Sequence, residues 1–451
     1  MILAKPRVLF AGTSSGCGKT TAVCAVLKLL TRRGVAVSAA KCGPDYIDPM
    51  FHEAVLGIPS SNLDPFFCGG NLLRAGLARS SGDLCVVEGV MGYYDGTGAD
   101  GMENSTCTAA RETGTPVILV VNGRGAYASL LALIEGFLNY VPESGIRGVL
   151  FSNVTAMTYA GLKKMVEARF GGRIVPVGYI PRLPETCEFT SRRLGLVTAS
   201  EIADLGARLG EIADLCEKTV DLDAVLALAE SAEPLEFDPP EIRRHPPVTI
   251  ALAHDEAFCF VYPDTLRLLE DMGAALVRFS PLKNEAVPES ADGLLLPGGY
   301  PELHTDQLEA NEAFRESVRR AVCSGMPTIA ECGGFQVLGE RLAGRRMCGV
   351  LPHDSSDTGR LVRFGYCTLT AQSDGLLGPR GTALPAHEFH YYDSTDCGSD
   401  FEAVKPNGKS WACAVHTETL YAGYPHLCLP ACPGAAESFY KKCLAYKEKK
   451  I

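Results

Sequence analysis

The sequence predicts two successive α/β domains, the first built around a mainly parallel sheet of the phosphate-loop type. Three observations predict this. At 451 residues the chain is too long for one ordinary domain. Apolar strand-like runs alternate with amphipathic helical stretches, and they do so in two separate series. Between the series lies a Pro- and charge-rich stretch, AEPLEFDPPEIRRHPP, which reads as a linker over residues 232–247.

In the first series, residues 1–231, strands are expected at Arg7–Gly12, Val35–Lys41, Leu84–Glu88, Pro116–Val121, Arg147–Ser152 and Ile174–Gly178. Their continuous apolar character suits strands buried on both faces. Helical periodicity falls between them, for example at Thr21–Arg33 and Ser129–Tyr140. The second series, residues 248–451, begins with Val248–Ala253, Ala275–Ser280, Gly293–Pro297 and Pro327–Ala330. From about Val350 the sequence turns to Gly, Pro and short strand patterns, so antiparallel elements are expected to close the second domain.

Composition narrows the function classes. Hydrophobic residues make up 46% and charged residues 21%, ordinary values for a globular enzyme. The formal net charge of −11 argues against nonspecific binding to nucleic acid or to an anionic membrane, since both need a basic face. It leaves room for an anionic small substrate in a locally basic pocket. The apolar run near Met1 is short for an export signal, and later apolar runs are short for a bilayer span, so a cytoplasmic protein is expected. The 18 cysteines then read as reduced and mostly buried, without the spacing of a metal site.

Residues 10–21, FAGTSSGCGKTT, lie between a strand and a helix. Backbone N–H groups of such a loop point at phosphate oxygens, and the helix N-terminus favours the anion. Lys19 is placed to neutralise phosphates and Thr20 to hold Mg²⁺. Gly12 precedes Gly18 by one position more than the common spacing. The segment KCGPDYIDP brings Lys41, Asp45 and Asp48 to the end of the second strand, and Glu88 ends another strand as a second Mg²⁺ contact. Ligands gather at the carboxyl ends of such strands, so the three loops are expected to converge. Taken singly, Asp45 and Asp48 also suit turn or capping roles.

In the second half, TIAECGGFQ places Cys332 between a buried strand and a helix. A tight turn there exposes the thiol, and a helix N-terminus lowers its pKa. Gly298 and Gly299, in LPGGYPE, offer backbone N–H groups to an oxyanion. A thiol nucleophile also needs a base, and His387, His390, His416 and His426 are the candidates. An ATP site joined to a thiol that hydrolyses glutamine makes a coherent pair: one activates a carboxylate, the other supplies ammonia.

Taken in order, GTSSGCGKTT, KCGPDYIDPMFH, NLDPFF, EGVMGYYDG, LPGGYPEL, AECGGFQVL and HEFHYYDS are similar to the motifs of cobyrinate a,c-diamide synthases over nearly the whole chain. The first half resembles dethiobiotin synthetase, including its lengthened phosphate loop. The second resembles class I glutamine amidotransferase domains of the cobyric-acid-synthase type. The resemblance implies a cytoplasmic ligase that uses ATP and Mg²⁺, and takes glutamine nitrogen to amidate the a- and c-acetates of cobyrinic acid through acyl phosphates. It assigns phosphate contacts to Gly12, Thr13, Gly16, Gly18, Lys19, Thr20, Thr21 and Lys41, and the adenine edge to Asn153. Metal contacts fall to Thr20, Asp48 and Glu88, and substrate positioning to Asp45, Tyr46 and Asp48. Cys332 becomes the nucleophile and His426, in Tyr424-Pro425-His426, its base, with His390 structural.

Two positions depart from the family pattern. Cys428 stands where many class I amidotransferases carry Glu, which predicts a Cys–His pair rather than a full triad and leaves open what orients His426; Arg193 stands where His is usual. Hydrogenobyrinic acid and nickel-sirohydrochlorin are alternative macrocycles, and a homodimer is compatible with the sequence. Cobyric acid synthase is a further alternative, disfavoured by KCGPDYIDP and EGVMGYYDG. A partitioning-type ATPase switch is the reading from another class, but the early loop lysine it needs is replaced by Thr13 and Ser14.

Overall fold

The computed structural model describes residues 1–98, 100–184, 191–192, 195–196 and 205–450. Arg193 lies outside the described residues. The chain divides into two compact units, Met1–Pro240 and Glu241–Ile451.

In the first unit, seven strands form one parallel sheet: β1 (Arg7–Gly12), β2 (Val37–Cys42), β3 (Ser60–Leu63), β4 (Leu84–Glu88), β5 (Val117–Asn122), β6 (Ile146–Ser152) and β7 (Val175–Ile180). Their spatial order is β3-β2-β4-β1-β5-β6-β7, and every pairing is parallel. Separate apolar cores cover the two faces. One joins Val8, Phe10 and Val86 to the helices α1 (Lys19–Arg32), α2 (Leu205–Cys216) and α3 (Leu222–Glu230); the other joins Leu9, Val87 and Leu119 to Ile134, Leu162 and Val166. This double burial is why the strand sequences are almost continuously apolar. Sequence periodicity missed β3, a four-residue edge strand reading Ser-Ser-Asn-Leu that has no apolar run to announce it.

Arg7 fastens the base of this sheet. Its fully buried guanidinium donates to the carbonyls of Lys5, Thr113, Gly114 and Glu233 and to Thr115 Oγ1. Burial pulls its pKa down to about 10, and the bonds to carbonyl oxygens offset much of the cost of burying the charge. Within the proline-rich stretch, Leu235–Glu236 pairs antiparallel with Ile2–Leu3, and Leu235 and Phe237 are buried. The first unit therefore reaches Pro240, because those two apolar side chains complete its core.

The second unit holds a six-stranded sheet and a five-stranded antiparallel sheet. In chain order the strands that matter here are β8 (Val248–Ala253), β9 (Ala274–Phe279), β10 (Gly293–Leu296), β11 (Thr328–Glu331), β12 (Arg363–Ala371), β13 (Ala383–His390), β14 (Phe401–Val404), β15 (Ser410–Cys413), β16 (Val415–His416), β17 (Leu420–Gly423) and β18 (His426–Leu427). The larger sheet runs β9-β8-β10-β11-β17-β16, parallel except for β16. The smaller runs β15-β14-β12-β13-β18, the antiparallel closure that the C-terminal third predicts. Leu369, Leu384 and Phe401 of the smaller sheet share a core with Ile250 and Leu252 of the larger one. The chain thus turns from β17 straight into β18, carrying His426 from one sheet to the other.

Candidate active sites

In the first unit the phosphate loop leaves β1, at the centre of the sheet, and enters α1. A side chain at Gly12 would meet Cys17 Sγ at 2.5 Å and Lys19 Nζ at 2.7 Å, so the loop closes on a position that tolerates no Cβ. Gly16 and Gly18 have φ of 72° and 97°, conformations that suit glycine. Thr13 donates its N–H to Val120 O, and Ser152 Oγ donates to Cys17 O across 2.6 Å, so β5 and β6 hold the loop from beside. Thr20 and Thr21 lie in the first turn of α1. Lys19 Nζ donates to Ser14 O at 3.0 Å and to Met91 O at 2.5 Å, bridging the loop and the turn after β4. Burial, with Lys41 nearby, pulls its ammonium below the ordinary value.

Below the loop is a charged cluster whose members are 4% (Lys41), 5% (Asp48) and 0% (Glu88) exposed. Lys41 Nζ lies 2.5 Å from Asp48 Oδ2 and 3.1 Å from Glu88 Oε1. Thr20 Oγ1 donates to the same Glu88 oxygen at 2.6 Å. Burial opposes the Glu88 charge, but Lys41, His52 and Thr20 outweigh it and hold its carboxyl well below the usual range. Asp48 is pushed the other way, by burial and by the charge of Glu88. Burial likewise opposes the Lys41 charge, and the two carboxylates override it, so Lys41 stays cationic. The structure therefore gathers Thr20, Lys41, Asp48 and Glu88 at one point, with Lys41 seated between the carboxylates.

Other predicted residues fall around this cluster. Asp45 Oδ1 accepts the N–H groups of Ile47 and Asp48, the local capping arrangement that its sequence also suits. Tyr46 is buried beside it, at the start of the helix Ile47–Leu56. Asn153, at φ 59°, donates to Asn122 Oδ1 across 3.3 Å. Asn122 was not among the predicted residues, although it ends β5 as Asn153 follows β6. His52 was missed as well. It is fully buried, with Nε2 3.4 Å from Glu88 Oε2 and Nδ1 3.2 Å from Ser60 Oγ. Its place as the last residue of KCGPDYIDPMFH was the available signal.

In the second unit Cys332 stands between β11 and the short helix Gly333–Leu338, with φ 47° and ψ −105°. That strained conformation is the sharp turn that presents a nucleophile. It is held by Cys332 N–H donating to Gly423 O, and by Gln336 N–H donating to Cys332 O. Gly298 reports how closely the site converges. A Cβ there would lie 3.3 Å from Cys332 Cβ, 2.5 Å from His426 Cε1 and 3.4 Å from His426 Nε2. Gly299 N lies 3.3 Å from the position a Gly333 side chain would take. Cys332, His426, Gly298 and Gly299 are thereby brought together.

The thiol departs from expectation. Instead of being lowered by the helix, its pKa is pushed well above the ordinary value by burial first, then by the charges of Glu302, Glu388 and Glu331. The Gly333 N–H works in the opposite direction without prevailing. A helix of six residues offers little dipole against three carboxylates. Burial thus favours the neutral thiol over the thiolate at this position.

Among the other candidate bases, His387 is the cross-strand partner of His426. Burial and His426 pull its pKa down to about 3, which leaves it neutral. His390 stacks on Tyr424 with ring centroids 3.8 Å apart and pairs with Glu388 at 2.9 Å, a structural place. His416 Nε2 accepts the N–H of Leu377 in the core. At the thiol site, sequence reasoning missed Glu331. Its Oε1 accepts the Leu427 N–H at 2.9 Å, and its Oε2 lies 3.6 Å from His426 Nδ1.

Residues 8–197 match the CobQ/CobB/MinD/ParA nucleotide binding domain family, and residues 249–431 match the CobB/CobQ-like glutamine amidotransferase domain family. A cobyrinate a,c-diamide synthase of Listeria monocytogenes serotype 4b is 38% identical over 441 residues, covering 93% of this chain and 96% of the relative. One from Salmonella typhimurium is 40% identical over 400 residues, covering 85% of each. A hydrogenobyrinate a,c-diamide synthase of Mesorhizobium japonicum is 39% identical over 401 residues, covering 87% of this chain and 90% of the relative. The chain belongs to the cobyrinate a,c-diamide synthase family, glutamine-hydrolysing carbon–nitrogen ligases that join these two domains in one polypeptide.

Proposed function

We propose that this chain converts the a- and c-acetate carboxylates of cobyrinic acid into amides during cobalamin biosynthesis, using ATP in the first unit and glutamine in the second. One observation carries the reading. A chain with a closed phosphate loop above Thr20, Lys41, Asp48 and Glu88 also sets Cys332 and His426 against Gly298.

In the first reaction an acetate oxygen bonds to the γ-phosphorus of ATP as the bridging P–O bond breaks, giving ADP and an acyl phosphate. Ammonia then adds to the acyl carbon, loses a proton, and inorganic phosphate leaves. Lys19, with the N–H groups around Gly16 and Gly18, holds the phosphates, Gly12 and Thr13 seat the loop on the strand end, and Thr21 extends that cradle. The oxygen donors Thr20 Oγ1, Asp48 and Glu88 fit a hard cation, and Glu88 Oε2, 3.4 Å from His52 Nε2, accepts no hydrogen bond among the described residues. These residues would hold Mg²⁺, which neutralises phosphate charge. Lys41 balances the two carboxylates and lies within reach of a phosphate oxygen that enters the cluster. Asn153 and Asn122 present paired amides to the adenine edge, and Asp45, Tyr46 and Asp48 face the acetate from the second loop.

In the second reaction His426 takes the Cys332 proton as sulfur bonds to the amide carbon of glutamine. The imidazole returns the proton to the departing nitrogen, releasing ammonia and leaving a thioester. Water then hydrolyses the thioester to glutamate. The backbone N–H groups of Gly298 and Gly299 would stabilise the oxyanion, and that of Gly333, which acts on the thiol, would join them. We place the enzyme in the cytoplasm; no helix among the described residues is long and apolar enough to cross a membrane.

Hydrogenobyrinic acid is the second reading, favoured by the relative from Mesorhizobium japonicum. Parallel assays of the purified protein with cobyrinic acid, hydrogenobyrinic acid and nickel-sirohydrochlorin, read by product mass, decide between them. The proposal expects the highest kcat/KM for cobyrinic acid. A clear preference for either other macrocycle keeps the chemistry and replaces the substrate.

A further inference from the structure

The position two residues after His426 holds Cys428, whose side chain is a buried thiol rather than a carboxylate. A histidine that abstracts a proton needs its second ring nitrogen anchored, because the anchor selects the tautomer and faces the positive charge that develops. The anchor in this fold comes from the other side of the site. Glu331 ends β11 one residue before the nucleophile and reaches across to β18. Its two oxygens divide the work. Oε1 accepts the Leu427 N–H at 2.9 Å, which pins the carboxylate to the strand that bears His426. Oε2 is left 3.6 Å from His426 Nδ1.

We infer that Glu331 is the positioning residue of the glutaminase site: it holds His426 with Nδ1–H toward the carboxylate and Nε2 toward Cys332. The imidazole edge supports this orientation. Nδ1 faces Glu331, whereas the Cε1–Nε2 edge faces Gly298, the position that also approaches Cys332. The orienting carboxylate thus precedes the nucleophile in the chain instead of following the base. One strand end, Glu331-Cys332, supplies both the nucleophile and the group that aligns its base. Cys332 and the cross-strand His387 also lie beside His426. His387 stays neutral at working pH, and Glu331 places a carboxylate oxygen 3.6 Å from the imidazole Nδ1.

The inference rests on the reading of Cys332 as nucleophile, and one set of variants separates the two. Glu331→Gln keeps an oxygen for the Leu427 N–H but removes the charge, and its amide N–H₂ aimed at Nδ1 favours the wrong tautomer. The full-length variant is expected to lose about 10²-fold or more in glutamine-dependent kcat, with KM for glutamine within about threefold. Amidation from ammonium should be unchanged.

Glutamine-dependent kcat within about twofold of the parent would overturn the inference, as would equal losses with glutamine and ammonium. Should the Gln variant fold poorly, Glu331→Asp carries the test: kcat above the Gln variant supports the charge role, and an equal or lower value overturns it. Cys332→Ala serves as the control. If it retains glutamine use, the nucleophile assignment fails; if it loses glutamine use while Glu331→Gln does not, only the positioning role fails.

Discussion

The Thr20 hydroxyl donates to Glu88 Oε1 across 2.6 Å, tying the first turn of the phosphate-loop helix to the carboxyl end of the neighbouring strand. A serine or threonine next to a P-loop lysine and a carboxylate at a strand end are the two protein contacts expected of a magnesium–phosphate site. Here they are already in register, with Lys41 compensating the buried charge.

Glu88→Gln keeps the shape of that contact and removes its charge. Amidation with either glutamine or ammonium is expected to fall by about 10²-fold or more, and the Mg²⁺ concentration for half-maximal rate to rise. Initial rates across a Mg²⁺ series check this. Rates within about twofold of the parent would remove Glu88 from the phosphoryl-transfer site.

Gly298→Ala tests the convergence of the thiol site by adding a methyl group while leaving the backbone N–H of the oxyanion loop in place. Its methyl group would sit 2.5 Å from His426 Cε1, so the ring must move. Glutaminase kcat is expected to fall by about 10²-fold, as ångström-scale misplacement of a catalytic group does, while ammonium-dependent amidation persists. An alanine variant with parental glutaminase activity would mean that His426 is not held where the base is required.

Glu302 makes a prediction in pH. Burial first, and the Asp357 charge second, push its carboxyl up to about 7. A carboxyl whose folded pKa is raised binds its proton more tightly in the folded state. Its stabilising contribution is complete below the ordinary carboxylate value and lost as pH rises toward about 7. Glu302→Gln imitates the protonated form at every pH. It should be more stable than the parent by roughly 1–3 kcal/mol at pH 8 and nearly equal to it at about pH 4.5. Urea midpoints at the two pH values measure the difference, and a variant no more stable than the parent at the higher pH would contradict it.

Much of each site was legible because its residues are contiguous. Gly12 to Thr21 and Glu331 to Gln336 each combine strand end, tight turn and helix start within about a dozen residues, and local sequence dictates such units. What escaped was set by distant contacts. Glu331 meets Leu427 from 96 residues away, so nothing near His426 in the sequence announces it. The Ser60–Leu63 edge strand needs no apolar run, because it adds to a sheet already covered. The polarity of a site was equally hidden. A helix start after Cys332 suggested a lowered thiol, and only the folded chain reveals burial and three carboxylates acting against it. Likewise Lys41 suggested a phosphate contact, and only the fold reveals that it also sits between Asp48 and Glu88.

The most direct test of the whole account asks where the new nitrogen comes from and what it joins. The intact protein is incubated with ATP, Mg²⁺, cobyrinic acid and glutamine labelled with nitrogen-15 in its amide, and the products are read by mass spectrometry. The account predicts a diamide in which both new amides carry the label, formed only with ATP. It also predicts that Cys332→Ala makes none from glutamine but the unlabelled diamide from ammonium. Cobyrinic acid recovered unchanged while ATP and glutamine are both hydrolysed would contradict it.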